Sequence, residues 1–154
     1  MSVTELDRLL GDHPFFAGMA AAHLSLIAGC GRNVVFKEGE ALFRQGEEAD
    51  VFYIIRHGKV GVALHHPSKG SLTIETLGEG EVVGWSWLFP PHTWKFDATA
   101  WETVRAVALD GVCLRTKAET DKELGYELYR RFAGRMSRAL EATRLQLMDV
   151  YGHE

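Results

Sequence analysis

The chain has 154 residues, of which 46% are hydrophobic and 25% charged, with a formal net charge of −4. This is one ordinary domain able to bury a single core, and its mild acidity argues against a general nucleic-acid-binding surface. No stretch approaches the ~18 apolar residues of a spanning helix. The start, MSVTELDRLL, carries Glu5 and Asp7 with no long apolar run and does not read as a signal peptide, so the expected compartment is the cytoplasm with no membrane partner.

Thr4–Leu10 reads as a short helix capped by Thr4 or Ser2, which Asp12-His13-Pro14 breaks. Met19–Ala28 is a second helical piece, ended by Gly29 and Gly31. The pattern then changes to short β-branched and aromatic runs separated by turn residues. The predicted strands are Val34–Lys37, Ala41–Arg44, Val51–Arg56, Lys59–His65, Leu72–Leu77, Val82–Val83, Ala98–Glu102 and Val104–Leu109. Gly39, Gly46, Gly58, Gly70 and Gly78–Gly80 punctuate them. So many short strands at this spacing point to a sandwich or jelly roll. After Gly111 the strand pattern stops. Val112–Glu119 reads as a short helix and Lys122–Val150 as a long one, with Gly125 and Gly134 as weak points. The expected fold class is mainly β with flanking helices. It comprises N-terminal helices over 1–32, a jelly roll over 33–110 and C-terminal helices over 111–154, in one domain without a helix-turn-helix.

Two features of the long helix point outward. Ala133, Leu140 and Leu147 fall on one heptad position and Met136, Thr143 and Val150 on another, a seam for a second copy of the helix. The alternative is one amphipathic helix with its apolar residues all on the core. Arg130, Arg131, Arg135, Arg138 and Arg144 interleave with Glu127, Glu141 and Asp149 and read as a solvated face rather than a DNA-contacting one. The two cysteines, Cys30 and Cys113, lack any CxxC or Cys/His cluster and read as buried reduced thiols rather than a disulfide or metal site. His65 and His66 are adjacent on a strand, point to opposite faces and do not chelate one ion. No nucleophile elbow, phosphate-binding loop or HExxH is present, so no enzyme is expected.

The segment Leu77–Leu88, LGEGEVVGWSWL, reads as a strand end, a glycine turn and a short helical piece whose free N–H groups suit an anion. With Leu42–Val62, LFRQGEEADVFYIIRHGKVGV, and the spaced Gly39-Glu40, Gly46-Glu47, Gly58-Lys59-Val60 and Gly80–Gly84, it resembles the cyclic-nucleotide-binding domain of the Crp/Fnr superfamily over nearly the whole chain. The resemblance implies a stand-alone sensor or regulatory module that signals through movement of its last helix. Its ligand would be a cyclic nucleotide or another small molecule, and no metal or other cofactor is indicated. The alternatives are a ligand-free dimerisation module, or an accessory transcription regulator acting with a partner chain.

In ligand-binding members a Gly-Glu pair opens the phosphate cassette and its carboxylate holds the ribose. An arginine about ten residues later, before a small residue and Ala, holds the cyclic phosphate. Here Trp85 follows Gly84, and Phe96, between Lys95 and Asp97, takes the arginine position ahead of Ala98-Thr99. Aromatics replace charge: Trp85, Trp87, Phe89, Trp94 and Phe96. The expected ligand-contacting set is Val83, Gly84, Trp85, Ser86, Trp87, Trp94, Lys95, Phe96, Ala98 and Thr99, with Thr143 and Arg144 from the long helix. Two readings stand: a pocket remodelled for a flatter or less anionic ligand read by stacking, or a cassette filled by its own aromatics. Lys95 and His92 keep some positive charge near the site.

Overall fold

The computed structural model describes residues 3–152. Helix α1 (Val3–Asp12) leads through a 3-10 turn, Pro14–Phe16, into α2 (Ala21–Ala28). The expected cap Ser2 lies outside the described residues, and Thr4 falls inside the helix. Eight strands follow: β1 (Gly31–Phe36), β2 (Ala41–Phe43), β3 (Val51–His57), β4 (Val60–His66), β5 (Gly70–Leu77), β6 (Val82–Val83), β7 (Asp97–Ala100) and β8 (Val104–Asp110). Two helices close the chain, α3 (Gly111–Thr120) and α4 (Lys122–Gly152). No helix is long and apolar enough to cross a membrane among the described residues.

The strands form two four-stranded antiparallel sheets, in the orders β1-β8-β3-β6 and β2-β7-β4-β5. This is the expected jelly roll. Its centre is set by β3 and β8, where Phe52, Ile54 and Ile55 lie in register with Leu109, Val107 and Ala106, all buried. Four consecutive residues of β3, Phe52 to Ile55, are buried, so both its faces are covered, and Phe52 meets Phe132 of α4 at 5.5 Å between ring centroids.

The helices attach to the roll by polar contacts as well as by apolar packing. His13 stands before the 3-10 turn. Its Nδ1 accepts from the Phe15 N–H at 3.2 Å, so the proton sits on Nε2, which donates to the Ile55 carbonyl at 3.0 Å. Burial lowers the His13 pKa below 6.5, against smaller raising effects of the Ile55 hydrogen bond and Glu79. From the other side, Arg131 of α4 donates to the carbonyls of Phe15 and Ala17 at 2.9 and 3.0 Å. Phe132 packs on Phe15 at 4.8 Å between ring centroids. Gly125 allows α4 to cross close to α3, since a Cβ there would lie 3.0 Å from the Ala118 carbonyl oxygen.

The cysteines correct the sequence reading. Cys30 and Cys113 form a disulfide across 83 residues, with Cα atoms 5.8 Å apart. Linear spacing concealed the pairing because the antiparallel β1–β8 ladder begins at Gly31 and Leu109. It therefore brings the residue before β1 beside the first turn of α3.

Candidate functional site

The site expected from the sequence begins where β6 ends. Val83 is buried and paired with Tyr53. Gly84 follows with φ of +78°, a conformation that L side chains rarely adopt. The helical piece expected after it is a single 3-10 turn, Ser86–Leu88, with no side-chain cap from Trp85. A turn this short aligns too few N–H groups to form the anion site anticipated there.

The expected aromatic cluster separates into four groups, one of them Phe89, which is 40% exposed and stands edge-on to Tyr129 of α4 at 6.1 Å between ring centroids. Trp94 is 2% exposed and stacks face to face on Phe43, with centroids 3.7 Å apart and planes 4° apart. Its ring also covers Gly84: a Cβ there would lie 2.3 Å from Trp94 Cζ3 and 3.4 Å from Phe96 Cζ. Phe96 flanks the plug at 6.0 Å from Trp94 and 5.5 Å from Phe43. Trp87 leaves this group altogether. It is fully buried, stacked on Phe52 at 4.3 Å and edge-on to Phe132 at 5.3 Å. Its Nε1 has no hydrogen-bond partner. Trp85 turns to the long helix, where the Arg135 guanidinium lies 5.7 Å from its ring centroid.

The remaining expected residues are dispersed. Ala98 is buried within the β2–β7–β4 ladder beside Phe43 and Val62, while Thr99 pairs with Ala41 and Gly61. Lys95 is exposed and Ser86 half-buried. Asp97 accepts from the Gln45 N–H at 2.7 Å and so closes a neighbouring turn. On α4, Thr143 donates its hydroxyl to the Ala139 carbonyl of its own helix at 2.9 Å, and Thr143 and Arg144 are both exposed.

Arg131 and Arg135 overturn the expectation of a solvated basic face. Arg135 is only 7% exposed and pairs with Glu75 of β5 at 2.9 Å, while its Nε lacks a partner. The buried stripe of α4 runs Leu124, Leu128, Phe132, Arg135. The spacing i, i+4, i+8, i+11 from Leu124 already places Arg135 on the inner face. Counting that stripe forward through a charged residue would have found it.

Arg135 stands in a cleft of about 380 Å³ between α4 and the roll. Glu75, Gly80, Glu81 and Val82 form one wall, Arg135, Arg138 and Ala142 the other, and Pro14 and Phe15 one end. The cleft has a mixed lining that carries two cations and two carboxylates among apolar side chains. A small molecule with both an anionic and a hydrogen-bond-donating part fits that lining, and any molecule there touches the roll, α4 and the N-terminal turn together. The seam of α4 lies beyond the cleft. Leu140, Leu147 and Val150 are 52%, 54% and 68% exposed; Ala133 and Thr143 are exposed and Met136 half-buried.

Comparison with known proteins agrees with this architecture. The family model for the cyclic nucleotide-binding domain matches residues 33–121. A CRP-like cAMP-activated global transcriptional regulator of Mycobacterium tuberculosis is 28% identical over 133 residues, covering 86% of this chain and 59% of the regulator. The chain thus spans about three fifths of that relative. A cyclic nucleotide-binding protein from Geobacter metallireducens superposes with a TM-score of 0.76 at 26% identity, over 91% of this chain and 98% of that one. The Thermus thermophilus catabolite activator protein gives a TM-score of 0.68 at 25% identity, over 86% and 63%.

Proposed function

The chain belongs to the cyclic nucleotide-binding domain family, and from that premise we propose that it is a regulatory sensor module whose ligand is not a cyclic nucleotide. The observation that carries this is the plug. Trp94 covers Gly84, Phe96 stands where the resemblance calls for arginine, and Trp85 stands where it calls for glutamate. A phosphate placed there would meet ring faces and lose charged hydrogen bonds worth about 2–3 kcal/mol each. Cyclic AMP is therefore expected to bind with a Kd above about 100 μM.

Ligand sensing moves instead to the cleft beneath α4. The Arg135–Glu75 pair fastens the helix to β5, and the Trp85 ring lies against the same guanidinium. A ligand that engages Arg135 competes with Glu75 for it. It thereby changes the free energy of α4 lying against the roll, which is the condition for a binding event to shift a conformational equilibrium. Movement of α4 is then the output, and homodimerisation through its exposed seam is the means by which a second copy would read it. The family is regulatory, and the role needs no catalytic group.

The test pairs calorimetry against cyclic AMP and cyclic GMP with a thermal-shift screen of small anionic metabolites on wild type and Arg135→Gln. The expected result is no micromolar cyclic-nucleotide binding and a metabolite hit that the variant loses. Micromolar cyclic AMP binding overturns the reading of the plug, and a hit that survives Arg135→Gln overturns the cleft. If the screen finds no ligand while the chain is dimeric, a ligand-free dimerisation module is the better reading. The exposed Leu140, Leu147 and Val150 favour that second possibility.

A further inference from the structure

We propose that the Cys30–Cys113 disulfide is a reversible thiol-exchange site, reduced by small dithiols and reformed by small disulfides, that pins the first turn of α3 to the start of β1. Three observations lead to this, none of them shared with the cleft beneath α4.

The first is access. The bond joins Cys30, a buried residue of the core, to the half-buried Cys113, and both cysteines line a surface cleft of about 320 Å³ together with Gly29, Arg32, Val51 and Asp110. An attacking thiolate has room to approach. The Arg32 cation favours its arrival, while the Asp110 carboxylate, which opposes it, is held to the Cys113 N–H at 3.0 Å.

The second is the leaving group. Cys113 is the third residue of the ten-residue helix α3, capped by Asp110. Its sulfur departs as a thiolate in the first turn of a helix, where the helix dipole favours the negative charge and the capping Asp110 carboxylate partly offsets it. In the exchange the reagent's thiolate attacks Cys30 Sγ and the Sγ–Sγ bond breaks with its electron pair on Cys113 Sγ. The reagent's second thiol then attacks its own sulfur in the mixed disulfide, and Cys30 leaves as thiolate. The protein gains two electrons and two protons and the dithiol becomes a cyclic disulfide. Reformation runs the same steps backward, with the small disulfide as oxidant.

The third is position. Cys113 lies in the first turn of α3 and Cys30 directly precedes β1, so the disulfide ties that turn to the start of β1. Reduction does not free α3 entirely. Lys117 Nζ still donates to the Leu26 carbonyl at 2.7 Å, Arg115 still donates to the Trp87 carbonyl, and Leu114 remains fully buried. What loosens is the first turn of α3.

The experiment equilibrates the full chain in mixtures of reduced and oxidised dithiothreitol without denaturant. It then counts maleimide-reactive thiols and follows amide hydrogen exchange by mass spectrometry. The expected result is two reactive thiols in the reduced state and none in the oxidised, reversibly. Exchange in the first turn of α3 should be about tenfold faster on reduction, since the open bond restores chain freedom. Cys113→Ser should hold the fast-exchange state whatever the redox mixture. Thiols that react only after denaturation overturn the proposal, as does α3 exchange that is the same in both states. Should Cys113→Ser fail to fold, the titrated wild type decides alone.

Discussion

Replacing Trp94 by alanine measures directly whether the cassette is plugged. The backbone of residue 94 accepts from the Gly46 N–H and donates to the Glu47 carbonyl, each at 2.9 Å, and both bonds survive the substitution. The loss is therefore the indole: its burial, its 3.7 Å stack on Phe43 and its contact with Gly84. Truncating a buried Trp to Ala costs about 3–5 kcal/mol, a range that includes about 0.5–1.5 kcal/mol for a good aromatic pair. A domain holds roughly 5–15 kcal/mol in total, so the loss takes a large part of the stability margin. With a urea slope of about 2 kcal/mol/M, the unfolding midpoint drops by about 2 M while the slope stays unchanged. The substitution also leaves an apolar hole over Gly84, and free indole is the probe that matches it. At about five times its Kd, indole returns about 1 kcal/mol, or roughly 2–4 °C in Tm, to Trp94→Ala and nothing to wild type. A loss below about 1 kcal/mol, without rescue by indole, would refute the plug and make Trp94 a movable lid.

Three further perturbations test other parts of the argument. Trp85→Glu with Phe96→Arg restores the charged pair of the resembling cassette, yet calorimetry should find no cyclic AMP binding until Trp94→Ala is added. Binding by the double variant alone would show that Trp94 does not block the site. Leu140→Glu puts a charge into the seam of both copies, where desolvation and repulsion oppose pairing. Light scattering should fall from two chains to one at tens of micromolar, roughly, and a wild-type monomer would sink the seam. Because burial depresses the His13 pKa, the unfolded chain binds more protons than the native one as pH falls below 6.5. Its contribution to stability is therefore full above 6.5 and declines as pH falls toward the folded value. Thermal melts should show a shallower acid slope for His13→Gln than for wild type, and parallel slopes would remove His13 from the account.

Most of the fold was legible in the chain because its signals are local. β-branched and aromatic runs set the strands, glycines set the turns, and the eight expected strands each coincide with an observed one to within a few residues. The misses were partners far apart in sequence. Nothing near Cys30 points to Cys113; the β1–β8 ladder decides that pairing. Arg131 and Arg135 read as solvated because charge is usually outside, yet Phe15 and Ala17 supply carbonyls to one and Glu75 a carboxylate to the other. The aromatic residues of the cassette were visible, and so was the loss of its charged pair. Whether they line a pocket or fill one depends on ring orientation, which composition does not encode. Gly84 gave room and Phe43 gave a face, so Trp94 folds inward, whereas Trp87, seven residues earlier in the chain, follows the opposite side of the 3-10 turn to Phe52 and Phe132. Sequence determined which residues are available to the site, and packing between distant segments decided which way each one faces.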